Sequence, residues 1–146
     1  MDIDTPELLR SFLDFSVAVT GYSQFDLQAT GQASLYLDTV LGVIGSDLLR
    51  ELLQTFQDHG LEPILVSPKF SPIARNIIKL WYIATWESLP PTWHENFGAT
   101  LNDATFIVDP YAYPEGLLWR TVGANPPAAK PPGYGIWAEP PQVRIR

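Results

Sequence analysis

The 146-residue sequence contains no cysteine and only two histidines. The absence of cysteine excludes structural disulfides, thiolate-bound zinc, iron–sulfur clusters and covalent attachment of a c-type haem. The two histidines, His59 and His94, are far apart and form none of the short spacings that hold zinc on a helix, so no metal site is predicted. No run of 18 apolar residues occurs, and the sequence therefore predicts no membrane-spanning helix and no direct membrane insertion.

Positive charge is also scarce. Sixteen acidic residues outnumber nine basic ones, which gives a formal net charge of −7. Nucleic-acid backbones and anionic membrane surfaces attract clustered Lys and Arg, so neither is an expected partner. The first ten residues, MDIDTPELLR, are acidic and have no positively charged start followed by an apolar stretch. As given, the chain is therefore expected to lack an export leader and to be cytoplasmic.

Apolar residues recur at helical spacing in four segments. Pro6 suits the first turn of the first helix, and Gly21 suits its end. Ser46 and Ser71 are predicted to cap the third and fourth helices, and Gly60 is predicted to end the third. The predicted main helices are 6–20, 27–42, 47–59 and 72–86, with a further short helix at 114–122.

The fourth helix lies in the stretch SPKFSPIARNIIKLWYIATW, whose apolar residues cover nearly every helical face. Such a helix is usually central, so this one is predicted to form the middle of the fold. After Glu87 a short helix at 92–97 and an extended run at 105–108 are predicted before the short helix at 114–122. The expected fold class is all-α, with a bundle of about four helices, an irregular second half and an extended proline-rich tail. Residues 1–123 would form the helical domain and 124–146 the tail.

The tail contains the sequence PPGYGIWAEPP, and six of the sixteen residues from Pro126 to Pro141 are proline. Proline-rich chains favour an extended conformation and are stiff before they bind. Tyr and Trp commonly anchor protein interfaces, and the second half of the chain is rich in both. The sequence therefore predicts that the tail lies on a partner protein. The side chains predicted to contact that partner are Trp81, Tyr82, Trp119, Tyr134 and Trp137.

Catalytic motifs are not found in the sequence. The G-x-G at Gly133–Gly135 lacks the third glycine of a dinucleotide site, and no G-x-S-x-G occurs. Glu115, Asp109 and Asp103 stand at turns or helix starts, where acids commonly have structural roles. No catalytic residue and no bound cofactor are therefore predicted for this chain. A small acid–base enzyme that uses Glu115 with His94 remains an alternative.

Several motifs between Ile77 and Pro140 resemble those of one protein family. They are the Leu80-Trp81-Tyr82 triplet, the Pro-x-x-Tyr-x-x-Gly-Leu-x-Trp block at Pro110–Trp119, the Gly-Ala-x-Pro step at Gly123–Pro126 and the closing Pro-Gly-Tyr-Gly-x-Trp-Ala-x-Pro-Pro. This pattern resembles the small subunit of bacterial membrane-associated, FAD-dependent sugar and polyol dehydrogenase complexes, such as those acting on sorbitol, fructose and glucose.

The resemblance implies a helical, non-catalytic subunit that binds a large catalytic subunit of the GMC type. The partner would hold FAD and oxidise a hydroxyl of a sugar, glycoside or polyol, while this chain would stabilise it and bind no cofactor itself. Small subunits of this family often begin with a twin-arginine leader, so a periplasmic location is expected if such a leader was removed. A stand-alone helical adaptor that binds an unrelated protein through its tail is a further alternative.

Overall fold

The computed structural model describes residues 5–98, 102–110 and 112–122. Within these ranges the chain is mostly helical and contains one two-stranded sheet, so the predicted all-α class is confirmed. The elements, in chain order, are α1 (Thr5–Thr20), α2 (Gln24–Ala29), α3 (Ala33–Ile44), α4 (Ser46–His59), α5 (Glu62–Val66), α6 (Ser71–Ile83), β1 (Thr85–Trp86), α7 (Pro91–Phe97), β2 (Phe106–Ile107), a 3-10 turn (Tyr113–Glu115) and α8 (Leu117–Val122). The predicted tail, with Tyr134 and Trp137, lies outside the described residues.

Helix α6 lies at the centre of the fold, as its apolar faces predict. It packs against α1, α3, α5, α8 and β1. The core around it is completed from α1, α3 and α4 by residues such as Phe12, Tyr36 and Leu49, all fully buried. Burial of this apolar surface is the main force that holds helices this short in place. The buried residues of α6 are Ser71, Ile73, Ala74, Asn76, Ile77, Leu80 and Trp81.

The predicted helix 27–42 is divided into α2 and α3. The hydroxyl of Thr30 donates to the carbonyl of Leu27 at 2.7 Å and accepts the backbone N–H of Gln32 at 3.2 Å. Gly31 follows with a φ of 74°, a left-handed conformation that glycine adopts at little cost. The side-chain bonds of Thr30 compete with the helical hydrogen bonds, so a continuous helix across this point is wrong.

Both predicted serine caps are wrong by one residue. Ser46 is the first residue of α4, and Ser71 is the first of α6 and is buried. The turn before α6 is instead supported by Ser67, whose hydroxyl accepts the backbone N–H groups of Lys69 and Phe70, each at 3.1 Å. Helix α5 is absent from the sequence-based prediction because five residues that include a proline show no helical period.

Helix α6 ends at Ile83, three residues earlier than predicted. Ala84 turns the chain with a φ of 52°, and β1 then pairs antiparallel with β2, placing Trp86 opposite Phe106. The extended run predicted at 105–108 contains β2. Strand β1 could not be predicted because two residues have no period of their own.

Both short helices predicted in the second half are present. Helix α7 covers the predicted 92–97 and begins one residue earlier, at Pro91, since proline suits a first helical turn. The segment predicted as helix 114–122 is divided between the 3-10 turn and α8, with buried Gly116 between them. Helix α8 packs against α6 and carries the chain to Val122.

Candidate functional site

The carboxylate of Asp103 accepts hydrogen bonds from three groups. Oδ1 accepts the indole N–H of Trp86 at 2.8 Å, and both oxygens accept the backbone N–H of Leu89, at 3.1 and 2.8 Å. Oδ2 also lies 2.6 Å from Nε2 of His94. The Asp103 side chain is only 4% exposed. Because a buried carboxylate is stable only when its oxygens are hydrogen-bonded, these donors hold the loop before β2 against β1 and α7.

Both ring nitrogens of His94 face hydrogen-bond acceptors. Nε2 contacts the Asp103 carboxylate, and Nδ1 lies 3.1 Å from the backbone carbonyl of Gly98. Neither acceptor has a proton to donate, so both contacts are hydrogen bonds only when both nitrogens carry a proton. The hydrogen bond to Asp103, and next that to Gly98, accordingly raises the pKa of His94 above 6.5. This arrangement stabilises the imidazolium form.

The acid–base alternative requires His94 and Glu115 to act together, but His94 is paired with Asp103. In the imidazolium form, which both contacts stabilise, the ring of His94 has no lone pair with which to take a proton from a substrate. Glu115 instead influences Tyr36. Burial of the Tyr36 side chain, and next the negative charge of Glu115, raise the pKa of Tyr36. The Tyr36 hydroxyl has no hydrogen-bond partner among the described residues. It therefore stays protonated at neutral pH.

The free energy of unfolding is expected to fall as the pH rises above about 6.5, by no more than about 1 kcal/mol. Folded His94 has the higher pKa, so its contribution is complete below the unfolded pKa and is lost as the pH passes the raised, folded pKa. The effect is small because the imidazole is 29% exposed and solvent screens the pair. Urea unfolding at about pH 6 and about pH 9 measures the difference.

The control for this pH dependence is the second histidine of the chain. His94→Gln should flatten the slope of stability against pH, whereas His59→Gln, at the exposed end of α4, should retain it. A slope that persists in His94→Gln would show that another group causes it.

Tyr22 and Tyr82 form a half-buried aromatic surface, which we call the tyrosine platform. Their ring centroids are 6.3 Å apart, with an interplanar angle of 63°. The Tyr22 hydroxyl lies 2.7 Å from Oγ1 of Thr121 in α8. Helix α8 therefore ends, at Val122, one residue after its contact with this platform. The sequence pattern does not single out Tyr22, whose one signal is its position directly after the helix-ending Gly21.

The residues predicted to contact a partner fall into three groups. Trp81 is fully buried, stacks on Phe12 and donates its indole N–H to Ser16 at 2.9 Å, so its assignment to a partner surface is corrected to a core position. Tyr82 keeps exposed surface on the tyrosine platform. Trp119 lies in α8, but its side chain is not described. The assignments of Tyr82, Trp119, Tyr134 and Trp137 remain predictions.

The described residues contain no group of three or more His, Cys, Asp or Glu side chains arranged to hold a metal ion. No helix in that part of the chain has the length and apolar character needed to cross a membrane. Comparison of the sequence and the fold with known protein families, curated proteins and solved structures gives no match.

Proposed function

We propose that this chain is a non-catalytic accessory subunit of a heteromeric, FAD-dependent oxidoreductase of the GMC type. The large subunit would hold FAD and oxidise a hydroxyl of a sugar, glycoside or polyol. The family-like motifs support this proposal, because two of the segments that carry them, α6 and α8, pack against each other. The observation that carries it is the tyrosine platform, in which Tyr22 contacts both Tyr82 and Thr121 near the end of α8.

A partner bound to the tail can contact the tyrosine platform at the same time. Tyr22 and Tyr82 both keep part of their ring surface exposed, and a tyrosine ring combines a large apolar area with a polar hydroxyl. An extended, proline-rich chain loses little conformational entropy when it docks. Tyr134 and Trp137 of the tail would then supply the aromatic side chains that carry most of the binding energy in typical interfaces.

Exposed apolar side chains elsewhere do not separate the proposed function from the adaptor alternative. Phe25 is 78% exposed, Val66 is 74% exposed and Leu65 is 48% exposed. Scattered exposed apolar side chains are normal on protein surfaces, so they support neither function over the other. The identity of the protein that binds the chain separates the two functions.

The proposed function predicts that a neighbouring gene encodes a flavoprotein of the GMC type, and co-expression of that protein with this chain tests it. The two proteins should co-purify as a yellow complex that oxidises sugars or polyols. Since a subunit that binds only the folded partner stabilises it, the flavoprotein expressed alone should be poorly soluble or lose FAD. A flavoprotein that folds and turns over equally well without this chain would contradict the proposal, and sugar oxidation by the lone chain would contradict it more strongly.

Variants of the tail identify the contact within the same experiment. Deletion of 127–146, or the double change Tyr134→Ala and Trp137→Ala, should weaken the complex at least tenfold, about 1.4 kcal/mol. The double change Lys130→Ala and Glu139→Ala is the control, because charged side chains at an interface rim contribute little. The lone chain should keep its melting temperature in every variant; if it melts earlier while binding is unaffected, the tail belongs to the core of the domain.

A further inference from the structure

A concavity of about 160 Å³ lies between α6 and the segment that joins β1 to α7. It is smaller than typical cofactor sites, which begin at about 300 Å³, and has room for a single side chain. Its walls combine apolar and charged groups. The lining residues are Pro72, Arg75, Asn76, Lys79, Glu87, Ser88, Leu89 and Pro90.

The amide of Asn76 fixes one wall of this concavity. Nδ2 donates to the backbone carbonyl of Glu87 at 2.8 Å, and Oδ1 accepts the backbone N–H of the same residue at 3.0 Å. Asn76 is only 4% exposed, so this two-point contact is protected from water. The loop and the helix are therefore held in position before anything binds, which lowers the entropy lost on binding.

The concavity carries one positive charge in excess. Lys79 forms an ion pair with Glu87 across it. Arg75, one helical turn earlier, is exposed and makes no hydrogen bond or ion pair with any residue that the structure describes. Arg10 on α1 is likewise exposed and makes no such contact with any described residue. It differs from Arg75 in its surroundings, because the groove that it lines also contains the acids Glu7 and Asp14, which outnumber it.

We propose that this concavity receives an Asp or Glu side chain of the large subunit. The Arg75 guanidinium matches a carboxylate in shape and can bind both of its oxygens. Lys79 is already paired with Glu87, so the excess positive charge is that of Arg75. The apolar walls of Pro72 and Leu89 suit the methylene groups of the incoming side chain. The identity of the partner rests on the proposed function, whereas the carboxylate chemistry rests on the concavity itself.

The test uses the complete chain in complex with the co-expressed flavoprotein. Arg75→Ala should weaken the complex at least tenfold, and Arg75→Lys should weaken it less, because lysine keeps the charge but not the paired donors. Arg10→Ala is the matched control and should change the affinity less than twofold, because the acids that line the same groove outnumber Arg10 and do not favour an incoming carboxylate. Both alanine variants should leave the melting temperature of the lone chain within about 2 °C, since both side chains are exposed.

Added salt provides a second measurement. The affinity of the wild-type chain should fall with ionic strength more steeply than that of Arg75→Ala, because the lost pair is ionic. If Arg75→Ala binds as tightly as the wild type, or if Arg10→Ala weakens the complex equally, the inference is wrong while the proposed function stands. If the wild-type chain captures no flavoprotein, the proposed function is wrong and this assignment of the partner is wrong with it.

Discussion

Replacing Trp81 with alanine is expected to lower the free energy of unfolding by about 3–5 kcal/mol. The side chain is fully buried, lies 4.9 Å from Tyr36 in an edge-on contact and 6.4 Å from Phe12, measured between ring centroids. Its indole N–H donates to the Ser16 hydroxyl at 2.9 Å, and that hydroxyl donates to the carbonyl of Phe12 at 2.8 Å. The change removes both the packing and the hydrogen bond. Urea unfolding of the lone chain measures the loss.

Two further variants separate packing from hydrogen bonding at Trp81. Trp81→Phe keeps much of the ring volume but leaves the Ser16 hydroxyl without its donor, and we expect a smaller loss than with alanine. Ser16→Ala leaves a buried indole N–H without an acceptor and should cost about 1–3 kcal/mol. If Trp81→Ala left the free energy of unfolding unchanged and instead broke the complex with the flavoprotein, the assignment of Trp81 to the core would be wrong and the residue would belong to the partner-binding surface.

Asp103→Ala is expected to destabilise the fold by about 2–4 kcal/mol, because three donors lose a charged acceptor at once. Two of these donors, the backbone N–H of Leu89 and the indole N–H of Trp86, hold the loop before β2 to β1 and to the segment that follows β1. The third, His94, loses the interaction that raises its pKa. The variant should therefore be less stable, and its stability should depend less on pH, because only the hydrogen bond to Gly98 would still raise the pKa of His94.

The control for Asp103 is Asp58, an exposed acid on α4 that accepts one hydrogen bond from Gln54 at 3.0 Å. Asp58→Ala should change the free energy of unfolding by no more than about 0.5 kcal/mol. Equal losses in the two variants would show that the hydrogen bonds of Asp103 add nothing to the fold. Asp103→Asn should be intermediate, because the amide keeps one acceptor oxygen but not the charge.

The central helix could be predicted because its signal is local. Apolar residues cover nearly every face between Ile73 and Ile83, and such a segment is stable only when other elements surround it. The end of α4 was predictable for the same reason, since Gly60 adopts the left-handed conformation that glycine favours at a helix end. At Thr30 the apolar spacing gives the wrong prediction. The spacing continues past Thr30, but the Thr30 hydroxyl bonds to the backbone and competes with the helical hydrogen bonds.

The hydrogen bonds of Asp103 and the tyrosine platform depend on contacts between residues that are distant in sequence. The donors to Asp103 come from positions 86, 89 and 94, and Tyr22 meets Thr121 across 99 residues. Contacts between residues this far apart leave no periodic pattern in the sequence. Composition likewise cannot separate Trp81 from Tyr82, because adjacent residues on a helix point in directions about 100° apart. One therefore lies in the core and the other at the surface.

The three tryptophans with described side chains each donate the indole N–H to a different part of the molecule. Trp81 donates to α1 through Ser16, Trp86 to the loop before β2 through Asp103, and Trp93 to the carbonyl of Lys69 before α6 at 2.8 Å. An indole hydrogen exchanges with deuterium only when its hydrogen bond opens, so the three exchange rates report three separate opening events. The three indole exchange rates therefore report which of these contacts opens first. In the complex, they also report which contact a bound partner protects.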